Sequence, residues 1–243
     1  MRTSNKILLT VFVALLLMFT SIYGAIYVKY TNGSFITSAK IHEERYDVYP
    51  LTGVQSVSLT GLERVTIIPS DTARLEVEKQ VDEKPLHVFD KGVLTLAGQK
   101  IVNNSDGTTA IERNYRDVLI YLPYNQIINA DNCNLTLNGT TDTMKNLSVQ
   151  LSLKETNLML GTTVPMNDKG FGNFSSVNIS QATGGNINIV TGAVIKRIEA
   201  KLDASRFSDG GASVDSLILA ADKSSTISIT GNNIPNTSFI SKP

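Results

Sequence analysis

Two aspartates stand at matching places in a repeated part of the sequence. Asp203 follows Leu202 and Asp222 follows Ala221, each directly after an alternating apolar segment. If these segments are strands in neighbouring layers of a stack, the two carboxylates lie about 5 Å apart at the backbone. Such a carboxylate pair can bind Ca²⁺, or can act as an acid–base pair on a polysaccharide, as in parallel β-helix lyases and hydrolases.

The same aspartates can instead serve the turns in which they lie. Asp is common in turns because its carboxylate accepts hydrogen bonds from nearby backbone N–H groups. No Arg, Lys or His recurs at the same offset in a third repeat. We therefore favour the turn interpretation. We expect no catalytic residue, no cofactor and no metal, with Asp203 and Asp222 as the weak candidates for a site.

Other reactive residues are few. The two histidines, His42 and His87, have no Cys or carboxylate at metal-ligand spacing, so we expect both to be solvated, in a linker and in an early loop. The single cysteine, Cys133, precedes Leu135 and Leu137 in alternation, which indicates a core residue. The sequence contains no Gly-x-Ser-x-Gly, P-loop or dinucleotide-binding motif. We expect a protein that is not an enzyme.

A membrane anchor is predicted near the N terminus. Ile7 to Val28 are 22 residues without a charge, and a helix of that length reaches about 33 Å, enough to cross a hydrocarbon core of about 30 Å. A cleaved signal peptide is the alternative, but its apolar region usually spans only about 7–15 residues. We predict an uncleaved signal anchor over residues 1–30, with the lipid bilayer as the partner of residues 7–28.

The orientation of the anchor follows from its flanks. Arg2 and Lys6 precede the apolar run, while Lys29, Lys40 and Arg45 follow it, so the charge bias is nearly balanced. A short basic tail before a signal-like segment favours a cytoplasmic N terminus. We expect an inner-membrane anchor in a bacterial cell envelope, with the remaining domain in the periplasm or outside the cell.

Composition excludes some partners. Lys and Arg together number 22, equal to Asp and Glu, so no basic surface is expected and nucleic acid is excluded as a partner. Trp is absent and there are only 8 Phe and 8 Tyr, which removes most aromatic platforms for sugar rings and weakens a lectin interpretation. One cysteine cannot form an intramolecular disulfide.

The region after the anchor alternates between apolar and polar residues. Residues 31–50 are polar and end at Pro50, so we predict a linker there. Pairs such as Val57 and Leu59 then follow with a period of two, which indicates strands with one buried face. Residues 100–117 interrupt the pattern and are predicted to be a mobile insertion, and residues 164–172 an extra loop.

Beyond Asn129 the alternating segments recur about every ten residues. They are Leu135/Leu137, Leu147/Val149/Leu151, Leu158/Leu160, Val177/Ile179, Ile187/Ile189, Ile198/Ala200/Leu202, Ser205/Phe207, Leu217/Leu219 and Ile227/Ile229. This spacing fits a β-sandwich built from hairpins, and also a solenoid whose coils contain two strands and two turns. Recurring turns at matching offsets favour the solenoid. We predict an all-β fold over residues 51–243, a single parallel β-solenoid with coils of about twenty residues.

Several segments in residues 51–232 resemble a known family. They are GVQSVSLTGLERVTI, LEVEK, KGVLTL, DVLIYLPYNQIINADNCNLTLNG and LDASRFSDGG. Together they resemble the head GIN domain, a family named as an autotransporter adhesin head and frequent in envelope proteins of Bacteroidetes. The resemblance implies an exported β-solenoid with no established activity, and the family's name suggests adhesion.

Together, these observations indicate a function that does not involve catalysis. We expect a membrane-anchored, non-catalytic adhesion or cell-envelope scaffold whose partner is an envelope protein or a glycan. A carbohydrate-active β-helix enzyme and a cytoplasmic polymer like the bactofilins are the alternatives. A polymer would expose apolar ends that pair head to tail, whereas here the tail IPNTSFISKP is expected to cover the last coil.

Overall fold

Two compact units make up the chain. The computed structural model describes residues 3–32, 42, 44–79, 86–103, 109–113, 117–141, 145–161 and 172–241. The units are Met1–Arg45 and Tyr46–Pro243. The first contains an apolar helix, and the second contains the strands.

The first unit confirms the predicted apolar helix. Helix α1 spans Thr3–Thr31. The hydroxyl groups of Thr10 and Ser21 donate to carbonyl oxygens four residues earlier, at 2.9 and 2.8 Å, so these polar groups are satisfied within the helix, as a hydrocarbon environment requires. The stretch Lys6–Thr31 is long and apolar enough to cross a membrane, and a signal sequence can have the same length and composition.

Nine strands of the second unit form sheet A. From one edge to the other they are β1 (Tyr46–Pro50), β4 (Arg74–Glu78), β9 (Val118–Leu122), β3 (Val65–Pro69), β11 (Asn134–Leu137), β13 (Asn157–Leu160), β16 (Asn186–Ile189), β18 (Arg206–Ser208) and β20 (Thr226–Ser228).

Sheet B has ten strands. Nine lie in the order β21 (Thr237–Ser241), β19 (Ser213–Ala221), β17 (Val194–Asp203), β15 (Ser176–Thr183), β12 (Ser148–Lys154), β10 (Asn125–Asp131), β2 (Ser56–Thr60), β6 (Val93–Ala97) and β5 (Leu86–Asp90), and β14 (Asn173–Phe174) pairs with β17. A separate hairpin joins β7 (Gln99–Asn103) and β8 (Thr109–Arg113). A 3₁₀ helix, Ile234–Asn236, precedes β21.

From β10 onward, apart from the two-residue β14, strands of sheet B and sheet A alternate along the chain. A strand of sheet B followed by one of sheet A is here called a rung, and most neighbouring rungs pair in parallel. Ile198 pairs with Val177 on one side and with Leu217 on the other, and Leu217 pairs with Thr237. Residues about twenty apart in sequence are therefore neighbours in space, as the repeat spacing predicted.

The core lies between the inward faces of the two sheets. In β12, Val149, Leu151 and Leu153 are buried while the residues between them are not. Inward residues of this kind form one aliphatic cluster through the second unit. Full burial of a Leu, Ile or Val side chain contributes about 1.5–3 kcal/mol, so the period-two pattern determines which face of each strand turns inward. The predicted strands are confirmed.

The predicted boundary of the linker is wrong. Tyr46–Pro50, assigned to the end of the linker, forms β1 and pairs antiparallel with β4. Tyr46 is buried. A proline suits the end of an edge strand as well as a break in structure, so Pro50 did not mark the start of the domain.

The prediction of a wholly parallel stack is wrong at one edge. β4 runs antiparallel to β1 and β9, and β5 runs antiparallel to β6. After β3 the chain stays in sheet A and reverses over residues 70–73, so β4 runs against the direction of β9, which lies between β3 and β4. β5 and β6 join through Lys91 and Gly92, both with positive φ (48° and 81°), as in a two-residue hairpin turn.

The two predicted insertions differ in outcome. Residues 100–117 are not simply a loop, because they contain most of the β7–β8 hairpin, which forms its own two-stranded sheet. Residues 104–108 and 114–116 lie outside the described residues, as does nearly all of the predicted loop at 164–172.

Candidate functional site

Asp203 and Asp222 lie on neighbouring rungs, as predicted. Leu202 and Ala221, the residues before them, are paired in register, and Asp222 donates its N–H to the carbonyl oxygen of Leu202 at 3.2 Å. Asp203 ends β17 opposite Thr183 of β15. The stacking geometry inferred from the sequence is therefore present.

The Asp222 carboxylate serves its turn. It accepts hydrogen bonds from the Ser224 hydroxyl, from the Ser225 hydroxyl at 2.5 Å and from the N–H of Ala204 at 3.1 Å. The hydroxyl groups of Ser224 and Ser225, more than any other cause, hold the pKa of Asp222 well below its usual range. These contacts match the turn interpretation and leave the carboxylate oriented towards its own loop and the preceding turn.

The turn that follows Asp203 is closed by a buried hydroxyl. The Ser205 hydroxyl oxygen lies 3.0 Å from each of three carbonyl oxygens, those of Asp203, Ala182 and Gly184, which share its single proton as acceptors. Within the described ranges, no group of three or more His, Cys, Asp or Glu residues is arranged to hold a metal ion.

His87 does not lie in a solvated loop, and that prediction is wrong. It belongs to β5 and is half-buried, with its ring centroid 4.3 Å from that of Tyr49. Its Nδ1 atom is buried and has no hydrogen-bond partner in the described part of the chain. Strand β5 pairs His87 in register with the buried Leu96 of β6. His42 lies in the first unit and is half-buried.

Cys133 is a core residue, as predicted. It is buried, and its Sγ lies 3.2 Å from the carbonyl oxygen of Asp131. Burial raises the pKa of the Cys133 thiol. A buried thiol with a raised pKa is a poor nucleophile, because the thiolate is the reactive form.

A row of asparagines crosses the outward face of sheet A. Asn134, Asn157 and Asn186 are register partners on β11, β13 and β16, and we call them the asparagine ladder. The Asn186 amide donates to Asn157 at 2.7 Å, and Asn157 donates to Asn134 at 2.8 Å. Asn134 donates to the Glu63 carboxylate at 2.8 Å, so the carboxylate sets the direction of the whole row.

An open groove of about 410 Å³ contains part of this row. Asn134 and Asn157 line it together with Asn188, and Arg64 faces Asp117 there at 3.6 Å. Each ladder amide donates one N–H, and Asn134 and Asn157 also accept one hydrogen bond, so every amide keeps a second N–H and at least one oxygen lone pair. The groove therefore offers alternating donors and acceptors, with one amide per rung of about 4.8 Å.

Sheet B carries a second groove of about 420 Å³ on its outward face. Asn178, Arg197 and Glu199 line it, and the two charged side chains pair at 3.3 Å. Gln126 also contributes; its Nε2 donates to the carbonyl oxygen of Pro123 at 2.9 Å, while its Oε1 is buried without a partner among the described residues.

The asparagine ladder was not predicted from the sequence, although a signal was present. Each ladder residue directly precedes an apolar-x-apolar segment, in NLTL, NLML and NINI. The contact with Glu63, in contrast, joins residues 71 positions apart and has no local signal.

No protein-family model matches the chain, and no curated protein matches it. One solved structure, described as a putative cell adhesion protein from Clostridium sporogenes, is similar at 10% identity with a TM-score of 0.28, over 76% of this chain and 98% of that chain. A similarity at this level carries no argument about function, and the head GIN resemblance stays a prediction.

Proposed function

We propose that this chain is a β-solenoid held at a membrane by α1 and exposed outside the cytoplasm, where it acts as a non-catalytic adhesion or envelope scaffold. The surface that we assign to binding is the outward face of sheet A, with the asparagine ladder at its centre. The partner is an envelope protein or a glycan.

The solenoid part of the proposal rests on the order of the rungs. From β10 onward, apart from β14, the strands alternate between sheets B and A, and the parallel pairs repeat about every twenty residues in the C-terminal half. Such a chain path gives every rung the same outward positions, so a side chain repeated at one position forms a straight row. The asparagine ladder is a row of this kind.

The binding proposal rests on the amide N–H groups and oxygen lone pairs of the asparagine ladder that are not used between neighbouring ladder residues. Amides that already donate to one another are fixed in orientation, so a ligand that binds them does not have to order them. Arg64 and Asp117 add a charged pair at the rim. Amides in a row suit an extended partner with regularly spaced polar groups.

The non-catalytic part of the proposal rests on the surroundings of Asp222 and Cys133, the candidate acid and the candidate nucleophile. The Asp222 carboxylate is taken up by its turn, and Cys133 is buried with a raised pKa. A general acid or a nucleophile must instead face a substrate.

A sedimentation assay tests the proposal. The full chain, reconstituted in nanodiscs, is mixed with purified murein sacculi or with outer-membrane vesicles, and the bound fraction is measured. We expect Asn157→Ala with Asn186→Ala to lower that fraction at least several-fold. The matched control is Asn178→Ala, which removes an exposed asparagine from the face of sheet B. Equal loss in both variants, or no binding by the unaltered chain to either material, would contradict the proposal.

A further inference from the structure

We propose that β21 pairs antiparallel with β21 of a second copy of this chain, so that sheet B continues across a two-fold axis at Phe239. This inference goes beyond the proposed function and does not depend on it. It concerns a different surface, the end of the stack, whereas the proposed binding face is the flank of sheet A.

Exposed apolar side chains mark this end of the domain. Ile234, Phe239 and Ile240 are 61%, 65% and 54% exposed, although they lie within one short segment. Phe239 pairs in register with the buried Leu219, so it occupies the next position of the core column and lacks a covering layer among the described residues. The tail covers β19 of the last coil, as predicted, but the strand that covers it presents apolar side chains of its own.

The four outer edges of sheets A and B differ in how they are protected. β1 contains Asp47 and Pro50, β5 ends with Asp90, and β20 is only three residues long. A charge, a proline and a short length are all devices that prevent an edge strand from pairing with another chain. β21 has five residues, TSFIS, without a charge, a proline or a glycine. It is the one outer strand of the two described sheets that lacks such a device.

A second copy fits this edge because β21 is complementary to itself. In an antiparallel pair centred on Phe239, the two Phe239 side chains face each other, and Ser238 faces Ile240 of the second copy. Opposed side chains in such a pair have Cβ atoms about 4.5–5.5 Å apart, and aromatic pairs there are favourable. The unpaired backbone groups of both edges are then used, and the contact is closed by its two-fold symmetry.

Head-to-tail pairing fits less well. It would place β21 against the edge formed by β1 and β5, which carries Asp47 and Asp90. Those carboxylates would lose water without gaining a cation from β21, which has none, and that loss is unfavourable. The geometry points to a closed dimer and not to a filament.

The mass of the full chain in nanodiscs or in detergent, measured by light scattering and by sedimentation, tests the proposal. We expect a dimer for the unaltered chain. Phe239→Asp and Ile240→Lys should each give a monomer with unchanged circular dichroism and a similar melting temperature. The matched control is Val88→Asp on β5, at the opposite edge of sheet B, where the Val88 residue is 64% exposed. This variant should stay dimeric.

Disulfide capture tests the register. In a Cys133→Ser background, Ser238→Cys and Ile240→Cys chains are prepared separately and mixed under mild oxidation. We expect a cross-linked dimer in the mixture at several times the yield of either chain alone. The proposal would be overturned if the unaltered chain is a monomer, or if dimers persist in Phe239→Asp and Ile240→Lys. Equal cross-linking in all samples would also overturn it, as would species larger than dimers that Val88→Asp abolishes.

Discussion

The Nδ2 group of Asn233 donates a hydrogen bond of 2.7 Å to the Asp209 carboxylate, and both side chains are almost fully buried. Thr230 donates to the same carboxylate oxygen through its N–H and its hydroxyl, at 2.9 Å each. The Oδ1 of Asn233 accepts the N–H of Val214 at 3.2 Å. These contacts join the turn after β18 to the turn after β20, and so fix the segment that leads into β21.

Asp209→Asn should destabilise the domain by about 1–3 kcal/mol, because the amide cannot accept all of these bonds and leaves buried donors unpaired. Thermal and urea unfolding of the full chain measure the change. The control is Asp215→Asn on β19, where the side chain is exposed and the expected change is below about 0.5 kcal/mol. Equal shifts would show that the network contributes nothing.

The effect of Asp209→Asn should depend on pH. Burial by itself raises the pKa of Asp209, but the hydrogen bonds from Asn233 and Thr230 outweigh it and lower the pKa below its usual value. A carboxyl group with a lowered folded-state pKa stabilises the fold above its unfolded pKa of about 3.9, and that stability is lost as the pH falls through the folded value. The difference in stability between the two proteins should therefore be constant near pH 7 and shrink below about pH 4. A constant difference down to pH 2 would contradict this assignment.

Gly185→Ala should destabilise the domain by at least about 2 kcal/mol. Gly185 has a φ of +77°, and an added Cβ would overlap the carbonyl oxygen of Thr156 on the preceding rung. Gly231→Ala is the control, because an added Cβ there has no neighbour within 4 Å. If both substitutions shift the melting temperature equally, the close approach of these two turns is not as described.

Ile229→Asp should cost about 1–3 kcal/mol, whereas Ser228→Asp should cost well under 1 kcal/mol. Ile229 is half-buried against the core, and Ser228 is exposed on the other face of the same segment. Chemical unfolding of the two variants measures the difference. A larger loss for Ser228→Asp would mean that this segment faces the opposite way.

The inward positions could be predicted from the sequence because burial imposes a period of two, and Leu217, Leu219 and their equivalents obey it. The order of strands could not be predicted. β9 lies between β3 and β4, which are consecutive in sequence, and no local pattern indicates this insertion. The hairpin at Lys91-Gly92 was missed because Lys is uncommon at a position with positive φ.

The roles of the candidate site residues could likewise be predicted only in part. The turn role of Asp222 followed from residue type and position alone. His87 was misplaced because a short strand at an edge, LHVFD, has too few residues to show a clear alternation. The Glu63 contact of the asparagine ladder depends on tertiary packing and could not be inferred.

The direction of the chain across the membrane gives a separate prediction. We expect a cytoplasm-specific reporter fused after Pro243 to be silent, and an export-specific reporter at the same place to be active, because a short basic tail precedes the apolar run. The matched control is a pair of fusions to a chain without residues 1–30, which should reverse both signals. A cytoplasmic signal from the full chain would contradict the exported orientation.

Asp203 and Asp222 give the prediction that separates a scaffold from a metal-dependent enzyme. Asp203→Asn with Asp222→Asn should change the melting temperature only slightly near pH 7, because both side chains are partly exposed and water replaces the hydrogen bonds that the amides cannot accept, unlike at the buried Asp209. Millimolar Ca²⁺ should shift neither protein. If the pair instead holds Ca²⁺, the unaltered chain should gain several degrees in melting temperature, since a ligand that binds only the folded state stabilises it, and the double variant should not. A Ca²⁺-dependent shift that the substitutions abolish would favour the carbohydrate-active alternative. Asp215→Asn controls for a general effect of removing surface charge.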